Sequence, residues 1–204
     1  MPQGRSGLST RTALNTVLDA GEVWINIDVT ALEDGSATDP WGDATAASGA
    51  VRLGGTRGGN TFSVNRVIRQ MPVDGAIGPI KGFNRRQTST PTLTVNALEI
   101  SEENVEYAIA GANNAAAGVF AKITGGEIED TDYITNVAIA STVKGTDTPI
   151  VIVITNAMVM EAPELTFTDE DEVVMSISFV GHVLASAPNT EAFAIYHPGT
   201  VNPA

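Results

Sequence analysis

Residues 61–111 read TFSVNRVIRQMPVDGAIGPIKGFNRRQTSTPTLTVNALEISEENVEYAIAG. In the first nine positions Phe62, Val64 and Ile68 fall on one face, which is the period of a half-buried strand. Val73-Asp74-Gly75 and Gly78-Pro79-Ile80-Lys81-Gly82 then supply turn chemistry twice in quick succession. Arg85-Arg86 lie on a basic strand, and residues 92–97 alternate again. Ser101-Glu102-Glu103 opens a helix expected over 102–110. A hydroxyl caps its first N–H groups, and two acids sit over the positive end of its dipole. Gly111 can close it. Val105, Ala108 and Ile109 share one face of that helix, with Glu102, Glu103 and Glu106 opposite. So short a helix needs tertiary packing to persist, and it is expected to lie across a sheet. Its acid stripe is read as a solvated face, or as a partner for a neighbour's arginines.

Working outward, Val23, Ile25, Ile27 and Val29 alternate with Trp24, Asn26, Asp28 and Thr30, the cleanest period of two in the chain. Residues 1–22 read as an arm, with a brief helical or docking pattern at Leu14, Val17 and Leu18. Residues 31–50 form a long Asp-, Gly-, Thr- and Ala-rich connection. Its length points to a functional loop or ordered arm, with a plain surface loop as the alternative. Toward the C-terminus, residues 119–123 and 133–143 read as strands. Residues 150–154 are apolar at every position, so that strand must be covered on both faces, by core on one and by helix, arm or neighbour on the other. Residues 173–183 alternate, and 193–196 make a last short strand before His197-Pro198-Gly199. There is no convincing internal repeat. The sum is a mainly β domain over residues 23–204: a β-sandwich or partly open barrel of about eight strands with one flanking α-helix, a long loop and an N-terminal arm.

At 204 residues the chain fits one domain with extended arms. Hydrophobic content of 43% is near the globular norm, so wholesale disorder is excluded. With no cysteine, disulfides, thiolate metal sites and cysteine catalysis are ruled out. No stretch reaches the ~20 apolar residues that span a bilayer, so membrane insertion is not expected. Met1-Pro2-Gln3-Gly4-Arg5 lacks the apolar core of a secretory leader, which points to synthesis in a cytosol. The net charge of −13 is unevenly spread. Residues 1–86 hold nine Lys and Arg against eight acids, whereas residues 87–204 hold two Lys against sixteen acids. That acidity argues against ordinary nucleic-acid binding. It fits either general solubility or a pairing of basic first-half patches with acidic second-half patches on neighbouring copies.

The search for chemistry returns little. Gly54-Gly55-Thr56-Arg57-Gly58-Gly59 lacks the Gly-Lys-Ser/Thr ending and the following helix of a phosphate loop; its glycines suit a hairpin or a close backbone approach. The two histidines, His182 and His197, lie outside any metal-binding pattern. Ser176 and Ser178 share a strand face with His182, but no nucleophile elbow accompanies them. Two acidic groups, Glu127, Glu129, Asp130 and Asp132, and Asp169, Glu170, Asp171 and Glu172, lack EF-hand spacing and read as solvated hairpin tips. Paired carboxylates for glycoside hydrolysis remain an alternative, though Trp24 and Trp41 are the only tryptophans available as sugar platforms. No enzyme activity, cofactor or metal is expected. Arg52, Arg57, Arg66, Arg69, Arg85 and Arg86 are candidate subunit-interface residues, with Glu102, Glu103 and Glu106 as candidate counterparts. A nucleic-acid patch there would lack stacking aromatics apart from Phe83.

The segments TRGGNTFSVNRVIRQMPVDGAIGPIKGF and TPTLTVNALEIS, in residues 56–101, carry a family resemblance. Across about residues 50–111 the order of elements resembles the tail tube (major tail) proteins of long-tailed bacteriophages, with a looser match from 130 onward. The resemblance implies hexameric rings stacked into a hollow tube, each subunit lending strands to a continuous barrel whose lumen conducts DNA without sequence-specific binding, and it makes the acids at 127–132 and 169–172 candidates for the lumen lining as well as for hairpin tips. It implies a virion protein assembled in the host cytoplasm, with tape-measure, terminator and distal tail proteins as partners. The long loop and arm would contact neighbouring subunits. The chain ends without an appended immunoglobulin-like module, so a bare tube exterior is expected. A tail terminator or other completion ring is the alternative within the family. A secreted or surface β-sandwich adhesion module is the alternative of another class.

Overall fold

The computed structural model describes residues 9–17, 19–165, 167, 169 and 171–200. Strand β1 (Glu22–Ile25) buries Val23 and Ile25 completely, as its alternation requires. It stops at Asn26, whose φ of 56° lies in the left-handed region that asparagine tolerates. Ile27 nevertheless stays buried, because Asn136 takes the place of a strand partner. The Asn136 Oδ1 accepts from the Ile27 N–H at 3.0 Å, and its Nδ2 donates to the Ile27 carbonyl at 2.9 Å.

The main sheet is antiparallel at every pairing and has nine strands. Its central path runs from β2 (Val51–Arg52) to β1, β7 (Ile134–Thr142), β8 (Pro149–Val159), β10 (Met175–Gly181), β4 (Asn84–Ala97) and β3 (Thr61–Gln70). Off this path, β11 (Phe193–Tyr196) pairs with β8, and β9 (Glu164–Leu165) pairs with β10. A separate hairpin joins β5 (Ala112–Ala117) to β6 (Phe120–Gly125). One cluster holds Val23 and Ile25 of β1, Val137 of β7, Ile154 and Val159 of β8, Ile177 and Phe179 of β10, and Leu93 and Val95 of β4. Strands so far apart in the order can share a core only if the sheet coils around it. The coil stops short of a barrel. Past β2, the Gly55 carbonyl accepts from the Leu98 N–H at 2.8 Å, and the Arg57 N–H donates to the Asn96 carbonyl at 3.0 Å. This short bridge joins the two ends of the sheet beside the place where β3 begins.

β8 changes partner along its length, from β11 at residues 151–154 to β10 at 157–159. Asn156, with φ of 47°, makes the bulge that shifts the side-chain parity. Ile154 and Ala157 therefore both face the core, although they are three residues apart. On the opposite face, Val151 and Val153 join Ile27, Ala44, Ala138 and Ala140 in a second cluster. The apolar run 150–154 is thus covered on both faces.

The outer cover comes from the long connection at 31–50, which is an ordered segment and not a plain surface loop. That segment carries helices α2 (Val29–Glu33) and α3 (Pro40–Thr45), following α1 (Thr10–Leu14) in the arm. Asp28 and Asp39 cap α2 and α3, and Pro40 occupies the first turn of α3. Trp41 meets Trp24 edge-on at 6.4 Å and donates from Nε1 to Glu22 Oε1 at 2.8 Å. Together with α4 (Glu102–Tyr107) there are four short α-helices among the described residues, where one was expected, and eleven strands rather than about eight. The mainly β, partly open architecture is the one the alternations indicated. In the arm, Leu14 and Thr16 accept from the Gly145 and Lys144 N–H groups at the β7–β8 turn. Leu18 lies outside the described residues.

Candidate functional site

The core is complete without the outer half of β3 and β4. β4 has 14 residues, about 45 Å of extended chain. Only Thr92–Ala97 of it is bonded to β10. Pro91 stands where β4 passes beyond β10, and the close approach there needs Gly181: a Cβ at that glycine would lie 2.9 Å from Pro91 Cγ and 2.5 Å from Ile154 Cγ2. From Pro91 back to Asn84, β4 is bonded to β3 alone, and among the described residues β3 has no partner strand on its other edge. The result is a two-stranded ribbon whose connecting loop is residues 71–83. It bears exposed Val67, Ile68, Val73, Ile77 and Phe83, with Ile77 fully open to solvent. A bulge between Val67 and Ile68 twists it.

The ribbon's root is tied to the body. Phe62 packs on Phe193 with ring centroids 5.6 Å apart. Glu191 Oε1 receives Arg66 Nη2 at 2.9 Å and also Arg86 Nη1, while Arg86 Nη2 donates to the Asn189 carbonyl at 3.0 Å. The Ser89 hydroxyl, and then the Arg86 and Arg66 charges, hold the Glu191 carboxyl below the usual range against the opposing effect of burial. Further along the ribbon, Arg69 and Arg85 are direct cross-strand partners, and no carboxylate among the described residues pairs with either.

Other arginines of the sequence reading are paired within the chain. Arg52 Nε lies 3.5 Å from Glu22 Oε2. Arg57 reaches Asp171 Oδ1 at 2.7 Å and also Glu172. This clamp ties the 55–57 bridge to the acidic turn before β10, and the guanidinium lowers the Asp171 pKa. Asp169 stands on the same turn, and Glu170 lies outside the described residues.

The acids of α4 gather elsewhere. Glu103 and Glu106, with Tyr107, Asp132, Tyr133 and Asn26, line a cleft of about 470 Å³ whose apolar wall includes Ile109, Met158 and Val159. Glu102 accepts from Asn114 Nδ2 at 2.7 Å, which ties α4 to the β5–β6 hairpin. Burial, then the Glu103 and Glu106 charges, raise the Tyr107 pKa. Glu129, Asp130 and Asp132 stand at the 3-10 turn Asp130–Asp132, where Asp132 Oδ2 accepts from the Glu129 N–H at 2.6 Å. Across from Gly111 (φ 64°) stands the Glu127 carbonyl, 2.7 Å from where a Cβ would be. No three His, Asp or Glu among the described residues gather closely enough to hold a metal ion.

His182 does not pair with Ser176 or Ser178. Its Nδ1 lies 3.2 Å from the Asn156 carbonyl, its ring meets Tyr133 edge-on at 5.2 Å, and its backbone N–H bonds the same bulge. Sequence reasoning missed Glu191, Asn104 and Asn136. Asn104 is buried and donates to the Leu53 and Glu99 carbonyls, anchoring α4 over the end of the coil. Its signal was a polar residue on the apolar side of a helix.

No protein-family model matches the sequence, and no curated protein does at a significant level. Among solved structures, one described as "Crystal structure of Hcp protein" is similar over 78% of this chain and 86% of that one, at 13% identity and a TM-score of 0.30. A likeness of that size says nothing about what this chain does.

Proposed function

We propose that the chain is a structural subunit that self-associates into rings, and that the rings stack into a hollow tube of the phage-tail kind. The observation that carries this reading is the β3–β4 ribbon, which leaves a ten-residue strand edge and five large apolar side chains uncovered outside a finished core. A long free edge is an aggregation hazard unless something pairs or covers it. A neighbour's strands do so, and repetition of a head-to-tail contact closes into a ring. Ring-on-ring stacking stays open and makes a filament by the same logic. The family resemblance at residues 50–111 contains this ribbon, and it supplies the finer content of the proposal: six copies per ring, a virion tail, and passage of DNA along the lumen.

Mechanism in such a conduit means low-friction passage rather than bond chemistry. Carboxylates on the wall repel phosphates only within about 8–10 Å at physiological salt, so the effect depends on those that face the lumen. The test shortens the ribbon by replacing residues 67–88 with a two-residue turn, which removes its outer strand edge and all five exposed apolar side chains and keeps the root pairs from Thr61↔Thr94 to Arg66↔Ser89. Sedimentation velocity should show assembly of the parent chain and a monomer for the shortened one, with matching circular dichroism. Equal assembly of both would remove the ribbon from the account.

A further inference from the structure

The ribbon presents a charge problem that the described residues leave unsolved. Arg69 and Arg85 lie directly opposite one another across the two strands, so their side chains leave the same face. Like charges in that arrangement repel. Their neighbours Arg66 and Arg86 share Glu191, but no acid among the described residues reaches Arg69, Arg85 or Lys81 of the connecting loop. Over residues 61–97 there are five basic residues and one acid, Asp74.

The cleft beside α4 has the opposite problem. Its charged groups are all acidic: the Glu103 carboxylate, the half-buried Glu106 carboxylate and Asp132, beside the Asn26 amide and the hydroxyls of Tyr107, Tyr133, Thr131 and Thr135. No cation of the described residues pairs with these acids. Asn26 Oδ1 is shut off from solvent and has no hydrogen-bond partner. A buried acceptor left this way is costly, by the full desolvation of the group. Residues 99–132 hold eight acids and one basic residue, Lys122. Ile109, Met158 and Val159 give the cleft an apolar wall, against which the methylene stems of arginine side chains can lie while their heads reach the acids.

We propose that the Arg69–Arg85 face of the ribbon docks in the acidic cleft beside α4 of a second copy of this chain. The proposal rests on the self-association reading and names the seat that reading leaves open. Arginine suits the site, because its planar fork meets a carboxylate through two parallel N–H donors. Each copy has one ribbon and one cleft, so the contact is head-to-tail and repeats around a ring.

The test is a charge exchange followed by sedimentation velocity. One variant carries Arg69→Glu and Arg85→Glu, and the other carries Glu103→Arg and Glu106→Arg. Each alone should need at least a tenfold higher concentration to assemble, with melting temperature unchanged. Mixed in equal amounts they should assemble again, because each variant's ribbon then matches the other's cleft in an alternating ring. Recovery on mixing also rules out misfolding as the cause of the loss. If the parent chain assembles but the α4 variant assembles equally well, or if mixing restores nothing, the seat is wrong while self-association stands. If the parent chain stays monomeric throughout, the self-association reading falls and this proposal with it.

Discussion

Asn136 shows how one side chain can substitute for a strand. Both of its amide atoms are spent on Ile27, at a place where β1 has ended but its apolar alternation continues. Asn136→Ala leaves a buried N–H and a buried carbonyl without partners, and should cost about 2–4 kcal/mol. Urea unfolding measures it, and a loss below about 1 kcal/mol would mean water takes over the role. Glu191 makes the second residue-scale case. Its folded pKa lies below the usual value of 4.5, so its contribution is fully present above that pH and fades as pH falls through the depressed folded value. Glu191→Gln should therefore lower stability at neutral pH by about 1 kcal/mol. The gap from the parent should close as pH falls through the depressed folded pKa, in urea titrations run across pH. A gap that persists unchanged into acid would show that the carboxylate charge is not what holds the ribbon's root.

At the scale of elements, α2 and α3 shield the outer face of β1, β7, β8 and β11. Trp41 of α3 contacts that face through Trp24 and Glu22. Trp41→Ala should cost about 2–3 kcal/mol, measurable as a lowered urea midpoint, since the residue is half-buried rather than enclosed. Little change would mean the helices are not part of the cooperative unit. These helices were hard to see in advance. Each is about one turn and a half, too short to show a period, and its signature is reduced to the caps Asp28 and Asp39 and to Pro40. The run 150–154 announced a cover without naming it. Strands β1, β10 and the inner end of β4 were legible because their apolar alternation is strict. β5, with the sequence ANNAAA, was not: alanine and asparagine favour strands poorly, and only its pairing with β6 makes it one. Of the candidate site, the basic ribbon and the acids of α4 were readable as residue types. Which arginines are already neutralised was not, because Glu191 stands 125 and 105 positions from Arg66 and Arg86.

For the whole molecule, the coiled sheet closes over its own core and sends one pair of strands outside it. Among the described residues nothing covers that ribbon and no acid neutralises its outer arginines. Both facts are consistent with a subunit finished by its neighbours. The proposed tube makes a further demand: with a net charge of −13 per copy, the carboxylates must be arranged so that stacked rings do not repel each other apart. The measurement that tests the central claim most directly is negative-stain electron microscopy of the concentrated protein, with its size followed in parallel by gel filtration. The account predicts rings, or hollow tubes built of stacked rings. A single monomeric species at the highest concentration reached, with no rings in any field, would contradict it.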